Sequence, residues 1–336
     1  MLRRPLLTLL LLATSITATS VVTAATAAEA KVPRIVMLLW RGETPVEQGF
    51  KTYFHDHQRQ AQFEEIDLQR DLSRLPAVLE QIRQNPPDLV YTWGTGVTLG
   101  TVGRWDENDP AKLHDIPVVF SMVSAPWKTG IAAPEGQQRA NVTGASHIAP
   151  LATQLKAMSV YMPVQRLGVV FTPTEPNSVS SVNDLEKATQ AAGIQLLQAP
   201  VPNLADGTPD PASIPSLVAK LAEQGANVIY IGPDNFVGTY RQQLTSAALA
   251  HGIPCFTGTE LEIRDGDAMF GLVSRYDLVG RLAASKAEKI LFEGQSAANI
   301  PIETLNRFSY LIKMPVARRL QLYPPVLLLD YAEVLQ

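Results

Sequence analysis

Polar residues with hydrogen-bonding or charged side chains gather where apolar runs stop. At residues 166–178, Arg-Leu-Gly-Val-Val-Phe-Thr-Pro-Thr-Glu-Pro-Asn-Ser, an apolar run breaks into a polar turn, and Ser178 opens a helix-like pattern that ends at Gly193. A helix start of this kind offers free backbone N–H groups and a partial positive charge, chemistry that suits a carboxylate. Thr174, Asn177 and Ser178 are the candidate donors; plain capping of the helix is the other reading. Similar turns follow other apolar runs. Arg41 after the first would pair bidentately with a carboxylate or stand in solvent, and Trp40 would stack on a ligand ring or close the core. Thr95 and Gly96 start another helix as donors or as its cap. Ser121 and Ser124 would donate to ligand or belong to the turn. Asp234 and Asn235 would hold an ammonium group or cap the helix that follows. Glu260 lies after a later run, in reach of a hinge, and Tyr276 would line a cleft or be a buried structural Tyr. Ligands bind beyond the carboxyl ends of strands in doubly wound sheets, and that rule selects these turns.

Other chemistries find no support. The five His residues form no ligand set, since His55 and His57, two apart on a predicted helix, point to different faces. There is no His-Glu-x-x-His, paired Cys, calcium loop, Gly-x-Ser-x-Gly or P-loop. Gly94-Thr-Gly-Val-Thr-Leu-Gly100 misses the dinucleotide spacing by one residue. Asp106, Glu107 and Asp109 read as a solvated acidic loop. No metal, cofactor or catalytic residue is expected.

Residues 1–30 read as an export signal: Arg3 and Arg4, an apolar stretch from Leu6, then Ala-x-Ala sites at 25–27 and 28–30. The apolar run is about half of the roughly 20 residues that a membrane span needs, so no membrane insertion is expected after cleavage. Without Arg3 and Arg4 the chain keeps 26 of its 28 basic side chains against 31 or 32 acidic ones. The resulting charge, with no basic tract, speaks against nucleic acid or an anionic membrane as partner. The single Cys255, set among apolar residues, reads as a buried, inert thiol.

These turns must be positioned by strands and helices, and the two alternate. Strands are predicted over 35–40, 63–68, 88–93 and 116–123, with helices over 45–60 and 75–84 and another from Gly96. The pattern restarts with helix 151–162, strand 167–171, helix 182–192, strand 194–201, helix 214–224, strand 228–232, helix 237–251 and strand 253–257. Continuously apolar strands between helices point to parallel sheets covered on both faces. Two α/β halves joined near 140–149 are expected, with a loop over 200–215.

Several segments in order resemble one family: Ile-Pro-Val-Val-Phe at 116–120, Asn-Val-Thr-Gly at 141–144, the 166–178 segment, and Ile-Tyr-Ile-Gly-Pro-Asp-Asn at 229–235. Ile-Pro-Cys-Phe at 253–256, Tyr-Asp-Leu-Val-Gly at 276–280, Tyr-Pro-Pro-Val-Leu at 323–327 and Ala-Glu-Val at 332–334 complete the set. The chain resembles bacterial ABC-transporter substrate-binding proteins that include tryptophan- and tyrosine-type binders. The resemblance implies a type I periplasmic-binding fold: two Rossmann-like, doubly wound α/β lobes, a three-crossover hinge and a ligand cleft between them. It places 31–143 and 268–296 in the first lobe, 144–267 and 297–336 in the second. One departure is Ala125 in Ser-Ala-Pro, where family members commonly carry an acidic residue; the acidic insert 104–114 is another.

A periplasmic, monomeric receptor is therefore expected, delivering a small carboxylate-bearing ligand, an amino acid by the resemblance, to an ABC permease. A sensory subunit for a membrane kinase or chemoreceptor would use the same cleft. An exported α/β enzyme is the weakest alternative, for want of any activated nucleophile, metal set or phosphate loop.

Overall fold

The computed structural model describes residues 31–134 and 139–336; the expected export signal lies outside them. The chain begins with β1 (Arg34–Leu39), β2 (Gln62–Asp67), β3 (Leu89–Trp93), β4 (Val118–Ser121) and β5 (Val142–Ser146). It then lays down β6 (Arg166–Phe171), β7 (Gln195–Pro200), β8 (Val228–Ile231), β9 (Cys255–Thr257) and β10 (Phe270–Val273). The short β11 (Glu303–Thr304) is followed by β12 (Ser309–Lys313) and β13 (Ala332–Leu335). The first sheet runs β11-β5-β4-β3-β1-β2, all parallel. The second runs β13-β12-β10-β9-β8-β6-β7, and only its β10–β12 pair is antiparallel.

β3, β4 and β8 are buried at every residue, as strands covered on both faces must be. In the first lobe, helices Pro45–Asp56 and Tyr276–Leu291 cover one face through Phe50, Phe54, Ala283 and Ala287. Leu75, Leu79 and Val97 cover the other, from helices Leu75–Gln84 and Gly94–Val102. The second sheet is packed likewise, with Met158, Leu185 and Phe256 on one side and Val218, Leu244 and Cys255 on the other. Burial pushes the Cys255 thiol pKa well up, which keeps it protonated.

The chain changes lobe three times: between β5 and helix Leu151–Tyr161, between β10 and helix Tyr276–Leu291, and between β11 and β12. The crossing points differ from the expected boundaries. β5 lies wholly in the first sheet, although a cut at 143 divides it, and β10 stays in the second sheet although 268 was expected to begin the return. Residues 303–304 pair with β5 of the first sheet. The physical reason in β5 is its small side chains: a Cβ on Gly144 would stand 2.4 Å from the Phe120 ring, so the strand packs by lacking the bulk that marks a strand. The helix expected over 237–251 is two, Asn235–Thr239 and Arg241–Ala250, meeting at Tyr240. The 200–215 loop is organised by a bridge between Asn203 and Pro209 and by the turn Pro211–Ser213, which Asp210 caps.

Helix Pro45–Asp56 starts on a capping box in which Thr44 and Glu47 satisfy each other's end of the helix. It touches the returning helix backbone to backbone. A Cβ on Gly280 would lie 1.8 Å from the Val46 carbonyl oxygen, and one on Gly49 would lie 2.1 Å from that of Asp277. Backbone cannot retreat from such a clash. Gly280→Ala should therefore lose about 1–3 kcal/mol or more, seen as a fall of several degrees in Tm.

Candidate functional site

In the first sheet β1 lies between β2 and β3, and in the second β6 lies between β7 and β8. Each is a point where the strand order reverses, so the turns beyond the strands diverge and leave a crevice. The two crevices face each other across one cavity. Arg41, Trp93, Thr95, Met122 and Ser124 line it from the first lobe, and His147 and Tyr276 from the crossovers. Asn177, Gly232, Pro233, Asp234, Asn235, Gly238, Thr259 and Glu262 close it from the second.

The charged groups converge on Gly238. A Cβ there would stand 3.0 Å from Glu262 Oε1 and 4.0 Å from Arg41 Nη1, so both side chains reach one spot from opposite lobes. The Arg41 guanidinium lies over the Trp93 ring, 4.7 Å from its centroid, an attraction of about 0.5–2 kcal/mol that fixes its direction. Burial raises the Glu262 carboxyl, with Thr259 and the Arg41 charge opposing. Five buried polar atoms here have no hydrogen-bond partner in the protein: Arg41 Nε, Trp93 Nε1, Ser124 Oγ, His147 Nδ1 and Glu262 Oε2. Burial depresses the His147 imidazole to about 3, leaving it neutral, with one ring nitrogen a donor and the other an acceptor. Met122, which lines the cavity just after β4, has a left-handed backbone (φ 57°), a conformation costly for a residue with a side chain.

Of the residues singled out from sequence, Arg41, Thr95, Ser124, Asn177, Asp234, Asn235 and Tyr276 line the cavity. Trp40, Gly96 and Thr174, the last exposed in the loop before helix Pro176–Ala192, line an adjoining pocket with Leu72 and Val97. Ser121 is corrected: it is fully buried, and its hydroxyl meets that of Tyr91, which also bonds Glu47 Oε1 at 2.5 Å. Ser178 lies beneath the surface, donating to Asp234 at 2.6 Å. Asp234 also accepts from the Thr172 N–H (2.7 Å), the Thr172 hydroxyl (3.0 Å) and the Val237 N–H (2.8 Å). Its carboxylate is the cap of helix Asn235–Thr239, and its hydrogen bonds are made within its own lobe.

Glu260 is likewise placed at the hinge. It accepts from the Tyr276 N–H at 2.6 Å and pairs with Arg264 (2.5 Å) and Arg275 (2.8 Å), both of which also bind Glu333 in β13. The acidic residue that faces the cavity is its neighbour two positions on, Glu262. Glu262, His147, Trp93, Met122 and Thr259 were not singled out. Glu262 sits on a one-turn helix, Leu261–Arg264, too short for periodicity to tell its buried side. His147 follows β5, a segment that reads as a linker.

Behind Asn235 lies a second carboxylate. Glu175 accepts from the Asn235 and Phe236 N–H groups at 2.9 and 2.8 Å and from Asn177 at 3.2 Å. Burial, with the nearby Asp234 charge, raises its pKa to about 7. It thus orients both Asn177 and the start of the cavity-lining helix.

Two doubly wound lobes that close on a polar cavity, with the chain crossing three times between them, define a two-lobed solute-binding protein. The chain belongs to the family of ABC transporter substrate binding proteins, whose profile matches residues 45–334; it is a substrate-binding protein, not an enzyme. A tyrosine-binding protein of Clostridioides difficile is 21% identical over 257 residues, 76% of this chain and 69% of that one. A conserved domain protein of Vibrio cholerae superposes with a TM-score of 0.79 at 21% identity, covering 91% of this chain and all of that one. A Streptococcus pneumoniae ABC domain in complex with L-Trp gives 0.78 at 17%, with the same coverage. Among the described residues no helix is long and apolar enough to cross a membrane.

Glu175 makes a pH prediction with a definite sign. Its folded pKa, about 7, lies above the unfolded 4.5, so its contribution is fully present below pH 4.5 and is lost as pH rises through 7. His147, held at about 3, acts oppositely, withdrawing stability as pH falls below 6.5, so the test is a difference. The Tm of Glu175→Gln relative to wild type should climb between pH 5 and pH 8; a constant difference across that range would show that Glu175 is ionised throughout.

Proposed function

We propose that this protein is the extracytoplasmic receptor of an ABC importer, exported by its N-terminal segment to the periplasm, and that it captures a small zwitterion. The observation that carries the reading is the approach of Arg41 and Glu262 to one spot from opposite lobes, each with a buried polar atom unpaired. A carboxylate would pair with Arg41, with Thr95 and Ser124 as hydroxyl donors beside it. An ammonium group would pair with Glu262, with the neutral His147 in reach as acceptor. The tyrosine-binding relative and the L-Trp complex are in keeping with an amino acid as the ligand.

The arrangement explains how binding would work. Arg41 and Glu262 belong to different lobes, so a ligand gains both contacts only when the cleft is shut, and it stabilises the closed state by that difference. The Lys128–Asp184 ion pair joins the lobes at the rim; exposed as it is, it adds at most about 1 kcal/mol. Closure thereby reports occupancy to the permease and shields the charges from water.

A thermal-shift screen of ligand-stripped protein against amino acids, small carboxylates and sugars tests this. A ligand at 100 times its Kd adds about 2.7 kcal/mol, and a response confined to zwitterions is expected. Hits only among sugars or simple carboxylates would refute the reading. With a zwitterion in hand, Arg41→Ala and Glu262→Gln should each weaken binding more than about tenfold by calorimetry, as charge-assisted pairs do, with little loss of Tm. Asp234→Ala should instead lower Tm by several degrees, because four hydrogen bonds lose their acceptor.

A further inference from the structure

The inner cavity is small. Its free space of about 30 Å³ seats a charged head group and little more, so the rest of any ligand must leave by one of two adjoining spaces. One, of about 130 Å³, is walled by Trp40, Leu72, Trp93, Val97 and Pro176. The other is larger, about 490 Å³, and shares Ser124, Asn177 and Pro233 with the inner cavity, as the smaller one shares Trp93, Asn177 and Asn235.

We propose that this outer chamber is a subsite for an aliphatic chain carried by the same ligand. The inference rests on the zwitterionic reading of the inner cavity. Its apolar walls are Ala125, Ile148, Leu151 and Ala188, with Ser180, Ser181, Asp184 and Lys187 on the remaining side, and no aromatic side chain lines it. Ala125 lines the chamber next to Ser124, where a charged residue would meet an apolar chain. The chamber is made by both lobes and by the first crossover, so a chain lying in it is enclosed by the same closure that pairs the head group. Ser180 Oγ, buried in the chamber wall without a partner, and Asp184 with Lys187 provide polar groups further along for the end of a longer chain.

The experiment is calorimetry on ligand-stripped full-length protein with L-alanine, L-norvaline, L-norleucine and L-2-aminooctanoate, and with L-phenylalanine and L-tryptophan. Affinity should rise about fourfold for each methylene that enters the chamber, and the longest aliphatic member should bind tighter than either aromatic one. Ala125→Asp and Ala188→Phe should each flatten the aliphatic series and leave L-alanine unchanged, while Trp40→Ala leaves the series intact. Binding of L-alanine with no gain along the series overturns the subsite alone. So does tighter binding of L-tryptophan that Trp40→Ala abolishes, which would assign the side group to the smaller pocket. Failure of every member, L-alanine included, overturns the zwitterionic reading and the subsite with it.

Discussion

A parallel sheet must be covered on both faces, and the helices that cover it bring the chain back to the same end each time. The turns beyond the strands' carboxyl ends are therefore released from packing, and at the reversals beside β1 and β6 they part enough to leave room. Everything else in this molecule depends on setting two such ends against each other. Arg41 and Thr95 on one sheet, and Asn177 and Asp234 on the other, meet because the same constraint acts twice on one chain.

Polar groups in this region fall into two ranks. Asp234, Glu175 and Glu260 are fully engaged by backbone N–H groups, hydroxyls or arginines, and they build the cleft's walls and hinge. Arg41, Trp93, Ser124, His147 and Glu262 each keep a buried polar atom that no protein group bonds, and all five line the same cavity, where a ligand's own polar groups can meet them. The left-handed backbone of Met122 adds strain at the same place.

Much of this was legible from residue order. Apolar runs bounded by polar turns locate the strands, and the helix at 75–84 is found to the residue. The rule about strand ends then selects Arg41, Thr95, Ser124, Asn177, Asp234 and Asn235, all of which line the cavity, as does Tyr276 at a crossover. It fails within a turn, where only three-dimensional direction decides: Ser121 points under the sheet and Ser124 into the cleft, and Glu260 turns to the hinge while Glu262 faces the ligand space. His147 escapes because β5, Val-Thr-Gly-Ala-Ser, lacks the bulky apolar run by which strands are recognised. The crossovers escape because segments of a few residues carry no periodicity.

The helix pair at Gly49 and Gly280 has a consequence for the order of events during folding. More than two hundred residues separate the two glycines, and five of the seven strands of the second sheet lie between them. The first lobe cannot finish covering one face of its sheet until helix Tyr276–Leu291 joins helix Pro45–Asp56 there, and it cannot place β11 until later still. Neither lobe is therefore complete until close to the end of the chain, the first at β11 and the second at β13, and a nascent chain carries an unfinished first sheet for most of its synthesis. Long-range closure of this kind is slow, leaving an interval in which the chain stays incompletely folded.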